Sequence, residues 1–141
     1  MEKEKILVSA CLLGINCKYN GENNKNDKVI KYLEDKEVIP ICPEIYGGLS
    51  TPRNPAEQVG DKVITNKGID VTDNYLKGAE ETLKLAKRFN IKKAILKAKS
   101  PSCGVQNIYD GSFTKTLIKK DGITTKLLKN NGIEVITEMD I

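Results

Sequence analysis

Three short and almost unbroken apolar runs constrain the fold of this 141-residue chain more than any other feature. They cover Ile6–Ala10, Val38–Cys42 and Ala94–Ala98. Continuous apolar strands are typical of a parallel sheet buried on both faces, whereas alternating strands keep one face in water. A fourth, more alternating run at Ile133–Met139 indicates one further strand. The sequence therefore predicts an open, mainly parallel sheet of about four strands.

Helical patterns lie between these runs, at Asp27–Leu33, Thr72–Phe89 and Ile123–Asn130. Strands that alternate with helices favour an α/β fold of the Rossmann-like kind, with helices flanking the sheet. A small inserted hairpin is also predicted, because Val63–Thr65 and Ile69–Val71 flank a short Asn-Lys-Gly turn.

The whole chain, residues 1–141, is predicted to form a single compact domain, because no linker or repeat interrupts it. The net charge is +4, and only two of the 23 basic residues are arginine, with the lysines scattered. No nucleic-acid partner is expected from such a pattern. The N-terminal apolar run is far shorter than the roughly 18 residues of a membrane span, and no signal-peptide pattern follows it. We therefore expect a cytoplasmic protein without a membrane partner.

Four cysteines and no histidine define the chemistry that is open to this chain. The absence of histidine removes the commonest neutral-pH acid or base and excludes a Ser-His-Asp triad. Cys11 directly follows the first strand-like run, Cys42 ends the second, and Cys103 follows the third by five residues. Ligands of parallel α/β sheets bind beyond the carboxyl ends of the strands. If these strands are neighbours, the three thiols meet at one edge of the sheet.

The kind of site that these thiols form is left open by the residues themselves. No Cys-x-x-Cys pair is present, which disfavours a zinc ribbon, a thioredoxin-like site and a ferredoxin-type cluster. Four thiolates would close a structural zinc site, whereas three around an iron–sulfur cluster would leave one iron open for a substrate. Whether Cys17 is a fourth ligand decides between the zinc site and the iron–sulfur cluster. Separate burial of all four cysteines in the core is the third possibility.

Polar side chains beside these cysteines are candidates for catalysis. Glu44 lies two residues beyond Cys42, where a carboxylate could orient or deprotonate a water molecule. Ser100 and Ser102 bring two hydroxyl groups close to Cys103. Exposed loop glutamates and serines that only satisfy backbone groups are the alternatives.

Two long segments rich in proline, glycine, serine and asparagine cover residues 43–60 and 99–113. Long connections of this kind in compact domains are often functional. The first contains Arg53, whose guanidinium could bind a planar anion or carbonyl, or could pair with Glu57 or another loop carboxylate.

Taken in order, the short motifs of this chain resemble those of one family. It is the family first catalogued as domain of unknown function 523, whose characterised members are thiouracil desulfidases. The resemblance spans essentially the whole chain. The motifs are Cys11-Leu12-Leu13-Gly14, Tyr19-Asn20-Gly21, Cys42-Pro43-Glu44, Gly47-Gly48-Leu49, Thr51-Pro52-Arg53, Pro55-Ala56-Glu57 and Lys99-Ser100-Pro101-Ser102-Cys103-Gly104.

The resemblance implies a cytoplasmic enzyme with a [4Fe–4S] cluster held by three cysteines. The matching positions are Cys11, Cys42 and Cys103, and Cys17 is not expected to be an obligatory ligand. The fourth iron is then open to the sulfur of a thiolated pyrimidine base or nucleoside.

The resemblance also implies a reaction without net redox change, in which thiouracil is converted to uracil and sulfide. Glu44 is expected to act as the base for the attacking water, and Ser100 is expected to orient it. Arg53 and Ser102 are further candidate substrate contacts. The alternative is a non-catalytic zinc or iron–sulfur module with a structural or sensing role.

Overall fold

The computed structural model describes residues 2–141, which form eight strands and four α-helices. In chain order the elements are β1 (Lys5–Ser9), α1 (Asp27–Tyr32), β2 (Glu37–Ile41), α2 (Pro43–Tyr46), β3 (Ala56–Val59), β4 (Lys62–Thr65), α3 (Thr72–Arg88), β5 (Lys93–Leu96), β6 (Ile108–Tyr109), β7 (Leu117–Ile118), α4 (Ile123–Asn130) and β8 (Glu134–Thr137). Short 3-10 helices follow β1 at Ala10–Leu13 and β8 at Glu138–Asp140.

The central sheet is four-stranded and entirely parallel, with the spatial order β2-β1-β5-β8. This confirms the predicted α/β fold. Leu7 and Ala94 pack towards the cluster that contains α3 and α4 residues, whereas Ile6, Val8 and Ile95 pack towards α1. Successive strand residues therefore enter two different cores, which explains why the apolar runs are nearly continuous.

Helix α3 is the longest helix and lies against both α2 and α4. Its buried positions recur at helical spacing along one face, as the amphipathic pattern predicts. No helix within residues 2–141 is long and apolar enough to cross a membrane.

The predicted hairpin is wrong in its choice of strands. The antiparallel partner of β4 is β3, which precedes it through a turn at Gly60-Asp61, and not the segment 69–71. That segment contacts β4 through a single bridge between Ile64 and Asp70. Strand β3 was missed because Glu57 and Gln58 are polar and yet buried, so that its sequence has no apolar alternation.

Helices α2 and α3 approach so closely that only glycine fits at their contact. A Cβ atom on Gly78 of α3 would collide with the carbonyl oxygen of Pro43 in α2, and one on Gly47 would collide with that of Asn74. This contact fixes the position of α2, which begins directly after Cys42 and carries Glu44.

We predict that Gly78→Ala destabilises the protein by about 1–3 kcal/mol, because the added methyl group forces α2 away from α3. Denaturant unfolding measures this as a lower midpoint at an unchanged slope. The control is Lys77→Ala at the neighbouring exposed helix position. A midpoint equal to that of the control would contradict the close contact.

Candidate active site

A cavity of about 460 Å³ opens at the carboxyl ends of β1, β2 and β5. This volume lies within the usual range of small-molecule sites, about 300–1,000 Å³. Polar and apolar groups both line it, and all four cysteines of the chain are among them.

The sheet order explains why three cysteines reach this cavity. Cys11 lies in the 3-10 helix after β1, Cys42 lies between β2 and α2, and Cys103 lies in the loop after β5. Strand β1 pairs with β2 on one side and with β5 on the other, so the three following loops are neighbours. The structure thus brings these three sequence-predicted residues to one cavity.

Cys17 lies in the same cavity and is not set apart from the other cysteines. Its residue is only 5% exposed, and its carbonyl oxygen lies 4.0 Å from Sγ of Cys42. The neighbouring Cys17 thiol lowers the pKa of Cys11 to about 7 and also lowers the pKa of Cys42. The pKa of Cys17 is raised, because the two neighbouring thiols and burial favour its protonated form. Two thiols of lowered pKa therefore lie beside one of raised pKa.

Cys103 differs from Cys11 and Cys42 because it is almost fully buried. Burial raises the pKa of its thiol well above the usual value, and the Glu44 carboxylate adds to this effect. The Sγ atom lies 3.7 Å from Oγ of Ser102. A positively charged group beside it would therefore stabilise its thiolate strongly.

Glu44 and Arg53 form an ion pair within the cavity wall, with Oε2 and a guanidinium nitrogen 3.6 Å apart. Both side chains are largely buried. Burial raises the pKa of Glu44, and the guanidinium of Arg53 opposes that rise. A carboxylate of raised pKa in a shielded cavity is a stronger base than one in water.

The remaining donors of Arg53 hold the loops around it. Its guanidinium donates to the carbonyl oxygen of Cys17 at 3.1 Å and to that of Ser50 at 3.3 Å. It also donates to Oγ1 of Thr51 at 3.2 Å. The arginine thus connects the Glu44 helix with the loop that carries Cys17. Glu57, which the sequence offers as another partner, forms no ion pair with it.

Ser100 lines the cavity, whereas Ser102 is fully buried outside its lining. Oγ of Ser100 accepts hydrogen bonds from the backbone N–H groups of Ser102 and Cys103, both at 3.1 Å. Its own hydrogen has no acceptor among the residues that the structure describes. Ser102 instead shares a 2.8 Å hydrogen bond with Oγ1 of Thr124. The structure brings Ser100 to the other site residues, and Ser102 supports the loop behind Cys103.

Several cavity residues have no signal in the sequence. Asn24 donates its backbone N–H to the carbonyl oxygen of Cys11 at 2.9 Å and helps to lower the pKa of the Cys11 thiol, although it occurs in an ordinary turn-like stretch. Tyr75 reaches the cavity from α3 and is almost fully buried. Its spacing on the helix is that of any core residue, so no pattern distinguishes it. Further lining residues are Tyr19 and Lys99, which occur in the family motifs without an assigned role, and Lys97, Tyr109, Phe113 and Lys115.

The donor chemistry of the cavity fits a metal group that prefers sulfur. Four thiols line it, and the carboxylates among its lining residues are those of Glu44 and Glu57. Within residues 2–141, no three cysteine, aspartate or glutamate side chains are placed to hold a single metal ion. A cluster spreads its thiolates over separate iron atoms and therefore needs them further apart than a single ion does. The thiols of Cys11, Cys42 and Cys103 reach the cavity from three separate loops, so the donor set suits a cluster with affinity for sulfur.

Comparison with known proteins agrees with this composition of the site. Residues 6–140 match the family described as 2-thiouracil desulfurase. The chain is 44% identical to the uncharacterized protein YbbK of Bacillus subtilis (strain 168) over 96% of this chain and 97% of that protein. Its structure matches the [4Fe-4S]-dependent thiouracil desulfidase TudS with a TM-score of 0.93 and 42% identity, over 99% of this chain and 93% of the other.

The family match covers nearly every residue of the chain, and the matched structure shares the fold throughout. Both agree with the resemblance that the ordered cysteine motifs carry. This chain belongs to the 2-thiouracil desulfurase family of enzymes.

Proposed function

We propose that this protein binds a [4Fe–4S] cluster through Cys11, Cys42 and Cys103 and removes sulfur from a thiolated pyrimidine without net redox change. The observation that carries this proposal is a single cavity lined by these thiols, by Glu44 and by Ser100. Identity of 42% with a desulfidase that depends on such a cluster supports the choice of cofactor. When bound, the cluster supplies a Lewis-acidic iron with affinity for sulfur, which polarises a thiocarbonyl bond.

Glu44 is the proposed general base. Its raised pKa and its place in the cavity wall suit a carboxylate that takes a proton from water. The water oxygen then bonds to the thiocarbonyl carbon of the substrate, and the C–S bond breaks to release hydrosulfide. The proton held by Glu44 passes to the products, so that thiouracil and water give uracil and hydrogen sulfide.

Arg53 acts in this proposal as a positioning residue and not as a direct substrate contact. It lies 3.6 Å from Glu44 and uses its other donors on Cys17, Ser50 and Thr51. A guanidinium so engaged holds the carboxylate against the cavity and has few donors left for a substrate. Ser102 has a structural role, because its hydroxyl is bonded to Thr124 behind the cavity.

Ser100 is proposed to orient the attacking water or the substrate oxygen that forms. Its hydroxyl oxygen accepts hydrogen bonds from two backbone N–H groups, so the hydroxyl hydrogen stays free to donate into the cavity. The two accepted hydrogen bonds also fix the backbone at Cys103. Ser100 therefore has two separable functions, one towards the reaction and one towards the backbone.

We predict that Ser100→Ala lowers kcat about 10²–10³-fold, because the donor to the reacting oxygen is lost. Ser100→Thr keeps a hydroxyl group and should retain most of the activity. Anaerobic assays of sulfide release measure both, with the iron content of each variant as the control for cluster binding. Activity of Ser100→Ala equal to that of wild type would show that the hydroxyl serves the backbone alone.

Product analysis tests the proposed function directly. The protein is reconstituted with iron and sulfide under anaerobic conditions and incubated with 2- or 4-thiouracil and with the corresponding thiolated nucleosides. We expect uracil or uridine and sulfide in equal amounts, and none from protein without the cluster. Protein that binds iron and sulfide but converts none of these compounds would identify the alternative, a non-catalytic cluster module.

A further inference from the structure

We infer that Glu57 positions the loop 110–116 as the outer wall of the cavity, and that Phe113 of this loop contacts the bound substrate. The inference rests on the proposed function, because it concerns how the same cavity binds a thiolated base. Glu57 also lines the cavity, and the role inferred for it is that of a positioning residue that acts through the loop. Phe113 would determine how tightly the substrate binds, and it would not determine how fast the bound substrate reacts.

Glu57 is a buried carboxylate whose partners are backbone groups. It is 8% exposed, and one of its oxygens accepts hydrogen bonds from Gly111 N–H at 3.0 Å and from Phe113 N–H at 3.1 Å. It forms no ion pair within residues 2–141. A buried charge without such bonds is costly, whereas hydrogen bonds from N–H groups to a carboxylate are strong. The loop therefore stabilises the carboxylate, and the carboxylate holds the loop.

The conformation of this loop needs such support. Phe113 and Lys115 have φ values of 58° and 62°, in the left-handed region that bulky residues rarely adopt. Residues in this region persist only where the surroundings hold them, and they cluster at ligand sites. Gly111 has a φ of 97° and packs so closely on Gln58 and Val59 that a side chain would not fit. The loop is thus seated on β3 beside Glu57.

The loop presents its side chains to the cavity. Phe113 and Lys115 both line it, together with Tyr109 from the strand that precedes the loop. Phe113 is 39% exposed, and its ring belongs to none of the buried apolar clusters. An aromatic ring at the mouth of a cavity can cover the flat face of a pyrimidine. The backbone bonds to Glu57 fix where that ring lies.

Four variants test this coupling: Glu57→Ala, Glu57→Gln, Phe113→Ala and the double variant Glu57→Ala/Phe113→Ala. Calorimetry gives the Kd of thiouracil for each reconstituted protein in the Glu44→Gln background, in which turnover is too slow to consume the ligand, and sulfide release by the same variants with Glu44 intact gives KM and kcat. We expect Kd and KM to rise about tenfold in both alanine variants, with kcat and iron content within about twofold of wild type. The double variant should be no weaker than either single variant, because both remove the same contact.

Glu57→Gln separates positioning from charge. The amide oxygen still accepts both backbone N–H groups, so Kd should stay close to that of wild type. The matched control for Phe113 is Phe89→Ala, which removes a ring of similar exposure at the end of α3, outside the cavity. That variant should bind thiouracil as wild type does.

Several results would overturn the inference. They are an unchanged Kd in Phe113→Ala, additive losses in the double variant, or a parallel loss of melting temperature, iron and kcat in Glu57→Ala. If Glu57→Ala does not fold, the Kd values of Phe113→Ala and Glu57→Gln still test the inference, since a rise is expected in the first and none in the second. Failure of the proposed function is distinguishable, since wild-type protein would then bind the cluster and thiouracil but release no sulfide.

Discussion

Replacing Glu44 with glutamine should lower kcat for sulfide release about 10²–10⁴-fold and leave the cluster in place. Glutamine has nearly the same shape, but it cannot take a proton from water. It also loses the charge that pairs with Arg53, 3.6 Å away. The anaerobic assay with thiouracil measures the loss, and the absorption of the reconstituted protein shows whether the cluster is retained.

Glu34→Gln is the matched control, because Glu34 is exposed and lies outside the cavity lining. It should retain wild-type kcat and iron content. Turnover of Glu44→Gln within a few-fold of wild type would leave the proposed reaction without its base. Loss of iron together with turnover would instead give Glu44 a role in cluster binding.

Replacing any of Cys11, Cys42 or Cys103 with alanine should remove the [4Fe–4S] cluster and all sulfide release. Each of these thiols lies at a different loop of the cavity, so none can substitute for another without moving the backbone. Iron content should fall from about four per chain to near zero in each variant. Iron and acid-labile sulfide are measured after anaerobic reconstitution, with circular dichroism to show that the fold is retained.

Cys17→Ala is the internal control for this series. Cys17 lines the same cavity and lies beside the thiols of Cys11 and Cys42, so its position resembles that of a ligand. The proposal nevertheless predicts a full cluster and substantial turnover in Cys17→Ala, because three thiolates leave one iron open. A cluster that is lost in Cys17→Ala and kept in Cys103→Ala would reassign the third ligand.

The central sheet could be predicted from the sequence because its signal is local. Each of the first three strands is a continuous apolar run, and each run enters two cores in the folded protein. The hairpin could not be predicted correctly, because burial of Glu57 and Gln58 depends on partners far along the chain. Gln58 donates to the carbonyl oxygens of Pro101 and Asp121, 43 and 63 residues away.

The residues of the candidate site likewise fall into those that the sequence predicts and those that it does not. Cys11, Cys42 and Cys103 lie at or beyond the ends of predicted strands, so the rule for parallel sheets predicts from the sequence alone that they meet at one edge. The partner of Arg53 could not be read from the sequence, since Glu44 and Glu57 both lie in the same segment 43–60 as the arginine. The structure pairs the guanidinium with Glu44, whose helix α2 is held in place by close packing on α3.

The position of Cys17 also required the structure. Its loop follows the 3-10 helix after β1 and turns back, so that its thiol lies beside those of Cys11 and Cys42. No spacing rule for metal ligands predicts this position. Asn24 reaches Cys11 by the same loop and was equally hidden in the sequence.

The proposed cluster is tested most directly by the iron and acid-labile sulfide content of the wild-type protein after anaerobic reconstitution, measured with its turnover of thiouracil. We expect about four irons and four sulfides per chain. We also expect sulfide release that disappears when the cluster is removed and returns when it is rebuilt. Fewer than about three irons per chain, or equal turnover by protein without iron, would contradict the proposal that an iron left open by three cysteines is where the substrate sulfur binds.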